Sequence, residues 1–373
     1  MRVTELLATT CVVPLERAGL SISTRALTER HYTIVRVSTD TGAEGIGFTY
    51  CGNLGGRIVT LAVQDLLRNL VIGRDPHETE YIWDSMYRET LLHGRRGAIL
   101  RAMSAIDIAL WDVVSKEAGL PLYKYLGGYK EGSVPAYASG GYYADGKGPE
   151  GLAEEMTGYT EMGFNAVKMK LGRLSPKEDN LRVKAAREAI GPNGLLFLDA
   201  NNAYPDADTA IRAVEMFEDH NPGWIEEPLM PDDIRGHSKI ASSVRTPVAT
   251  GEIHATRWDF QQILEADAAS ILQPDVGVCG GITEIQRIAA IASAHDKAIA
   301  PHWFADLHVH IVASNPNATW VEYFTDTSII NLGKLLTTRL QVKAGELVLP
   351  QTPGHGMELD DVAAKKFSIE DWS

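Results

Sequence analysis

LLFLDANN, residues Leu195 to Asn202, is the stretch from which the fold can be inferred. Four consecutive apolar residues are typical of a strand that is buried on both faces in a parallel sheet. The run stops at Asp199 and Asn201, whose side chains share one face because alternate residues of a strand point the same way. The stretch therefore predicts a buried strand that ends in a carboxylate.

Two later stretches repeat this pattern. An apolar run ends in Glu226 within Trp224 to Pro228, and another ends in Glu252 within Pro247 to Glu252. Taken alone, an Asp after an apolar strand is more often a turn former or a helix N-cap than a ligand. Three carboxylates that meet would repel one another and raise their own pKa values unless a cation lies between them. An all-oxygen ligand set favours a hard divalent cation, with Mg²⁺ first.

From Val134 onward, strand-like and helix-like segments alternate. The expected strands lie at 134–139, 166–171, 195–199, around 225, around 248, and at 269–274, 298–302 and 319–323. Eight strands separated by helices at this spacing are typical of a (β/α)₈ barrel. An open doubly wound sheet is the alternative, but no glycine-rich phosphate loop follows the first strand.

Residues 1–128 have a different pattern. His31–Thr39 and Glu44–Tyr50 predict a β-hairpin, and apolar residues at steps of three and four predict a helix over Ala98–Ala118. Strands followed by helices indicate an α+β domain distinct from the barrel. The barrel domain is expected to span residues 129–344.

Composition excludes several classes of function. The net charge of −14 and the pI near 5.3 argue against nucleic acid or an anionic membrane as a partner. The N-terminus lacks a signal-peptide pattern and no apolar run is long enough to span a membrane, so a cytoplasmic location is expected. Three scattered cysteines do not indicate a disulfide framework.

Charged or titratable residues end most of the barrel strands, where the active site of such a barrel lies. They are Lys168 and Lys170, Asp199 and Asn201, Glu226, Glu252, Asp275, His302 and Glu322. Each residue alone has an ordinary structural explanation. Together they predict one site at one end of the barrel.

Lys168 and Lys170 are two residues apart and face the barrel interior, where each ammonium is expected to lower the pKa of the other. Lys170 is then the predicted base, and Lys168 the charged partner of a substrate carboxylate oxygen. Asp275 and His302 are expected to form an acid/base dyad opposite Lys170. Glu322, if its surroundings protonate it, would donate a hydrogen bond to the same substrate oxygens. This set suits removal of a proton α to a carboxylate, which gives an enediolate.

These motifs resemble the enolase superfamily in its mandelate racemase subgroup. They are Lys168-Met169-Lys170, Asp199-Ala200-Asn201, Glu226-Glu227-Pro228, Gly251-Glu252, Gln273-Pro274-Asp275, Pro301-His302 and Glu322. The resemblance implies Mg²⁺ on Asp199, Glu226 and Glu252, and catalysis by Lys170 and the His302–Asp275 dyad. It also implies that residues 1–128 cap the barrel, that loops around 17–25 and near Tyr50 close the site, and that residues 345–373 pack back on the cap. Homo-oligomers, from dimers to octamers, are implied as well.

The resemblance also bears on the reaction. The muconate-cycloisomerase-like branch has a lysine where this chain has Asp275, which favours acid-sugar dehydratases over cycloisomerases. The predicted reaction is β-elimination of water from an aldonate or aldarate to a 2-keto-3-deoxy acid, the reaction of a carbon–oxygen lyase. A racemase or epimerase of a 2-hydroxy acid is the alternative, and a non-catalytic binding protein on this scaffold is a further one.

Predicted substrate contacts are Asn201, Arg17 and His93, because polar stretches around the last two suit a polyhydroxy acid or diacid. Whether Lys170 or His302 removes the proton depends on substrate stereochemistry and stays open.

Overall fold

The computed structural model describes residues 1–16, 19–23, 25–327 and 329–373. Its strands are β1 Val3–Pro14, β2 Ser21–Ile22, β3 Arg25–Ala26, β4 Glu29–Thr39, β5 Glu44–Tyr50, β6 Ser133–Ser139, β7 Ala166–Lys170, β8 Leu195–Asp199, β9 Trp224–Glu226, β10 Val248–Thr250, β11 Ile271–Leu272, β12 Ala298–Ile299, β13 Val321–Tyr323, β14 Val342–Lys343 and β15 Glu346–Val348.

The α-helices are α1 Gly56–Leu61, α2 Arg68–Val71, α3 Thr79–Glu89, α4 Ala98–Glu117, α5 Leu122–Tyr125, α6 Pro149–Glu161, α7 Pro176–Ile190, α8 Ala207–Phe217, α9 Ile234–Ser243, α10 Thr256–Glu265, α11 Gly281–Ala294, α12 Ala305–Ser314 and α13 Asp361–Phe367. Ala62–Leu67 is π-helical and joins α1 to α2, and two short 3₁₀ helices lie at Glu218–His220 and Leu332–Leu335. No helix in these described ranges is long and apolar enough to cross a bilayer.

The N-terminal part is a three-stranded antiparallel sheet in the order β1-β4-β5, with α4 packed against it. The predicted hairpin and the predicted long helix are both present. Gly45 and Gly47 in β5 allow α4 to approach closely: a Cβ on Gly47 would lie 1.9 Å from the carbonyl oxygen of Ala105. The sheet and α4 therefore share one tightly packed core.

The barrel consists of the eight parallel strands β6 to β13. Each strand from β6 to β11 pairs with the next, and β13 pairs with β6. A parallel bridge between Ile299 and Ala318 joins β12 to the segment that leads into β13, which closes the ring. The predicted (β/α)₈ barrel with an N-terminal α+β domain is confirmed.

Hydrogen bonds join the N-terminal domain to the barrel and to the C-terminal segment. Thr283, in the first turn of α11, donates to Asp107 of α4 through its backbone N–H at 2.9 Å and its hydroxyl at 2.6 Å. After α13, the backbone N–H of Ile369 donates to the carbonyl oxygen of Thr10 in β1 at 3.0 Å. The first two bonds join α4 to α11 of the barrel, and the third joins β1 to the C-terminal segment.

Candidate active site

Three buried carboxylates meet at the C-terminal ends of neighbouring barrel strands. Asp199 ends β8, Glu226 ends β9 and Glu252 lies two residues after β10; one oxygen from each lies within 4.8 Å of the others. Glu226 is held by the indole N–H of Trp224 at 3.1 Å and the amide of Gln273 at 2.7 Å. These bonds orient the carboxylate before any ligand arrives.

The chemistry of this cluster fits a divalent cation. Burial, followed by the nearby carboxylates, raises the pKa of Glu226 to about 8. A cation bound between the three groups would offset this repulsion, because opposite charge stabilises the ionised form. The ligand atoms are all carboxylate oxygens, which Mg²⁺ prefers. Asp199, Glu226 and Glu252 thus meet the requirements for a magnesium site.

The two lysines of β7 lie against this cluster. Lys168 is fully buried, with its Nζ 2.6 Å from Glu226 Oε1 and 2.7 Å from Glu322 Oε1, and Lys170 forms an ion pair with Asp199. Burial is the largest effect and acts to lower the pKa of Lys170, but Asp199, with smaller contributions from Tyr142 and Glu322, raises the pKa above the ordinary value. The pKa of Lys168 is raised in the same way, against the effect of burial, by Glu226 and Glu322.

The expected lowering of the lysine pKa values is therefore wrong, because nearby carboxylates outweigh the repulsion between the two ammonium groups. The condition set for Glu322, that its surroundings protonate it, is not met. Burial acts to raise the pKa of Glu322, but Lys168 and His302 lower it below its ordinary value. Ionised Glu322 accepts a hydrogen bond from the backbone N–H of Trp303 at 2.8 Å, so it fixes the loop after β12.

The structure brings His302 and Asp275 together after neighbouring strands. His302 Nδ1 lies 2.8 Å from Asp275 Oδ2, and the other oxygen of Asp275 accepts from the backbone N–H of Gly277 at 2.7 Å. His302 Nε2 lies 3.3 Å from Glu252 Oε2. Burial acts to lower the pKa of His302, but Glu252 and Asp275 raise it to about 9. The arrangement directs Nε2 toward the carboxylate cluster.

A cavity of about 330 Å³ lies above these residues. Its barrel side is lined by Lys170, Asn201, Glu252, Ile253, His302 and Trp303, with Tyr142, Phe324 and Ile330 nearby. The N-terminal domain covers it with Ile22, Arg25, Ala26, Leu27, Arg30, Tyr50, Cys51, Gly52, Asn53 and Arg101. Lys170 and His302 thus face one enclosed space, Lys170 beside Asp199 and His302 beside Glu252.

Of the three predicted substrate contacts, the structure places Asn201 at the cavity. Asn201 lines the cavity, and its buried side-chain oxygen has no hydrogen-bond partner among the described residues. His93 is exposed in the turn before α4 and does not line the cavity. Arg17 lies outside the described residues. The segment near Tyr50 was expected to close the site, and Tyr50 lines the cavity. Sequence reasoning did not identify Arg30 and Arg101, whose place at the cavity depends on how the two domains dock.

Known proteins match this chain over nearly its whole length. Residues 6–127 match the "Mandelate racemase / muconate lactonizing enzyme, N-terminal domain" family, and residues 151–363 match the "Enolase C-terminal domain-like" family. Arabinonate dehydratase of Saccharolobus solfataricus is 34% identical over 95% of this chain and 95% of its own. The 3,6-anhydro-alpha-L-galactonate cycloisomerase of Streptomyces coelicolor is 36% identical over 93% of this chain and 94% of its own.

A solved structure gives the same result. L-talarate dehydratase from Polaromonas sp. JS666, crystallised with Mg and L-glucarate, aligns with a TM-score of 0.90 and 31% identity. The alignment covers 100% of this chain and 98% of that one. Fold and sequence thus agree over both the N-terminal domain and the barrel.

Proposed function

Because this chain belongs to the mandelate racemase / muconate lactonizing enzyme family of the enolase superfamily, we propose that it is a Mg²⁺-dependent acid-sugar dehydratase. The product is a 2-keto-3-deoxy acid. The observation that carries the proposal is that Lys170 and His302 line one cavity beside opposite members of the carboxylate cluster, Asp199 and Glu252. Two proton-transfer groups next to a cation site suit enolisation of a carboxylate followed by loss of a β-hydroxyl.

In this proposal Asp199, Glu226 and Glu252 hold the ion. When bound, Mg²⁺ supplies positive charge that stabilises the negative charge developing on the substrate carboxylate. Lys170 and His302 each move one proton: one takes the α-proton, and the other gives a proton to the departing β-hydroxyl, which leaves as water. Asp275 holds His302 through Nδ1. Lys168 contacts the metal-site carboxylate Glu226 and also Glu322, and Glu322 holds the backbone of Trp303.

The state of Lys170 depends on Asp199. This carboxylate makes the largest contribution that raises the pKa of Lys170. An Asp199 carboxylate that ligates a cation holds an ammonium less strongly, so the Lys170 pKa moves back toward its ordinary value. Lys170 is then better able to act as the base.

Cycloisomerisation is a second candidate. The relative named as a cycloisomerase is as similar as the arabinonate dehydratase, although the motif comparison had favoured dehydratases over cycloisomerases. Both reactions begin with removal of the α-proton and differ in the leaving group. Racemisation shares this step too, but returns a proton to the α-carbon.

The division into residues 1–128, 129–344 and 345–373, a cytoplasmic location and a dimer-to-octamer assembly remain part of the proposal.

A screen in D₂O tests the function. The purified protein is incubated with Mg²⁺ and a panel of aldonic acids, aldaric acids and their anhydro derivatives. We expect a 2-keto acid to form from one or a few of them, with a deuteron at the former β-carbon. Deuteration at the α-carbon without loss of water would favour racemisation, and a ring-opened or lactonised isomer would favour cycloisomerisation. If no compound gave a product or exchanged its α-proton, the proposal would be refuted.

A further inference from the structure

The side of the cavity formed by the N-terminal domain is cationic. Arg25, Arg30 and Arg101 line it, whereas Glu252 on the barrel side is the only carboxylate among the described lining residues. The chain as a whole has a net charge of −14, so this cluster of guanidinium groups runs against its overall charge. An anionic group that entered the cavity would meet these arginines on the side formed by the N-terminal domain.

Arg30 is the most buried of the three, with 6% of its surface exposed. Its Nε donates to the carbonyl oxygen of Ile329 at 3.4 Å, and its guanidinium lies 5.4 Å from the ring centroid of Trp303. No carboxylate in the described part of the chain forms an ion pair with it. Burying a guanidinium without an anionic partner costs free energy, so its retention beside a cavity indicates a ligand that supplies the charge.

Arg101 occupies the equivalent position on the other side of an aromatic pair. It donates to the carbonyl oxygen of Tyr50 at 2.6 Å, and its guanidinium lies 4.6 Å from the Tyr50 ring centroid. It also lacks an ion pair with any described carboxylate. Tyr50 and Trp303 pack with ring centroids 4.0 Å apart, next to His302. The two guanidinium groups therefore flank one aromatic pair beside the catalytic histidine.

Two arginines outside the cavity form ion pairs with buried carboxylates. Arg182 pairs with Asp179 at 3.0 Å, and Arg257 pairs with Glu284 at 2.8 Å. Arg187 also lacks a carboxylate partner, but it donates to four backbone carbonyl oxygens, whereas Arg30 and Arg101 each donate to one and lie beside a cavity. A carboxylate suits the planar donor edge of a guanidinium, because it accepts two parallel hydrogen bonds.

We propose that Arg30 and Arg101 bind a second carboxylate, so that the substrate is a diacid sugar rather than a monoacid. This inference rests on the proposed function, which places the reacting carboxylate at the Asp199, Glu226 and Glu252 cluster. The distal carboxylate then lies under the N-terminal domain, against the Tyr50 and Trp303 rings. Arg30 and Arg101 are specificity residues, and neither moves a proton in the reaction.

Binding rather than turnover tests the inference. Affinities of two matched pairs, galactarate with galactonate and glucarate with gluconate, are measured by calorimetry in the presence of Mg²⁺. Proteins are the wild type, Arg30→Gln, Arg30→Lys, Arg101→Gln and the control Arg36→Gln. Arg36 lies on the same strand as Arg30, pairs with Asp361 at 2.6 Å and does not line the cavity.

The wild type and the control are expected to bind one diacid about 30-fold to 3,000-fold more tightly than its monoacid, as removal of one partner from a buried ion pair implies. Arg30→Gln and Arg101→Gln should lose most of this preference while the affinity for the monoacid changes less than about threefold. Arg30→Lys should retain part of it, because the charge stays but the paired donors are lost.

Equal affinity of the wild type for diacid and monoacid, or no binding of any of the four, would overturn the inference. So would an equal loss for both acids in Arg30→Gln, since this would mean that Arg30 only supports Trp303. The readout does not need turnover. A protein that binds diacids selectively but forms no keto acid would refute the dehydratase proposal and leave the diacid subsite supported.

Discussion

Replacing Lys170 and His302 one at a time should separate the two proton transfers. Both side chains face the same cavity, but each lies beside a different carboxylate, Lys170 at Asp199 and His302 3.3 Å from Glu252. Dehydration needs both a base and an acid, whereas exchange of the α-proton with solvent needs only the base. We therefore expect Lys170→Ala and His302→Asn both to lose dehydration, and one of the two to keep exchange.

The size of the loss follows from general acid–base catalysis, which contributes about 10²-fold to 10⁴-fold. At 1.36 kcal/mol for each factor of ten, this is about 2.7–5.4 kcal/mol of barrier for each side chain. Keto-acid formation and α-deuteration are followed together by NMR in D₂O with the substrate identified by screening. The variant that still incorporates deuterium retains the base, which also decides the question that the sequence left open.

Two exposed residues provide matched controls, Lys177→Ala at the start of α7 and His295→Asn after α11. Both should keep wild-type rates, and melting temperatures should show that all four variants fold. Dehydration within tenfold of wild type in both Lys170→Ala and His302→Asn would refute the assignment. Loss of exchange in both would contradict the division into one base and one acid.

Two further predictions concern stability. Burial raises the pKa of Asp107 from 3.8 to about 7. Between pH 4 and 7 the folded chain therefore holds a proton that the unfolded chain has released. The free energy of unfolding of the wild type falls by up to about 4 kcal/mol as the pH rises through this range. Asp107→Asn should lack this decline. Thermal unfolding at several pH values should therefore show that its stability rises relative to that of the wild type as the pH increases. A difference in stability between the two proteins that does not change with pH would contradict the argument. Gly47→Ala should lower the free energy of unfolding by about 1–3 kcal/mol in denaturant, because the new methyl would overlap the carbonyl oxygen of Ala105. In Gly158→Ala, in α6, the new methyl meets no atom within 4 Å, so the free energy of unfolding should rise by about 0.5–1 kcal/mol. Equal stabilities of these two glycine variants would contradict the close packing of β5 on α4.

The barrel and its carboxylate cluster could be predicted because both depend on local patterns. Asp199, Glu226 and Glu252 each follow a short apolar run, and parallel strands place their C-terminal ends at one face. Strand β1 was not predicted. Both of its faces are largely buried, so its residues lack the alternation that marks a half-exposed strand.

The electrostatics of the site could not be predicted from spacing alone. Two lysines on one strand suggested mutual repulsion, but the sign of their pKa shifts depends on Asp199, Glu226 and Glu322, which come from other strands. The arginines over the cavity raise the same difficulty. Arg30 and Arg101 reach it only because the N-terminal domain docks on the barrel, and no local motif encodes that contact.

The most direct test of the account is a Mg²⁺ titration of chelator-treated protein by calorimetry, with α-proton exchange measured on the same samples. We predict one ion per chain in the wild type, and exchange that is absent without the ion and returns in proportion to it. Glu252→Gln should lose both, whereas Glu265→Gln, at the exposed end of α10, should keep both. Exchange at the wild-type rate in chelated protein, or unchanged Mg²⁺ binding in Glu252→Gln, would contradict the assignment of this cluster as the catalytic metal site.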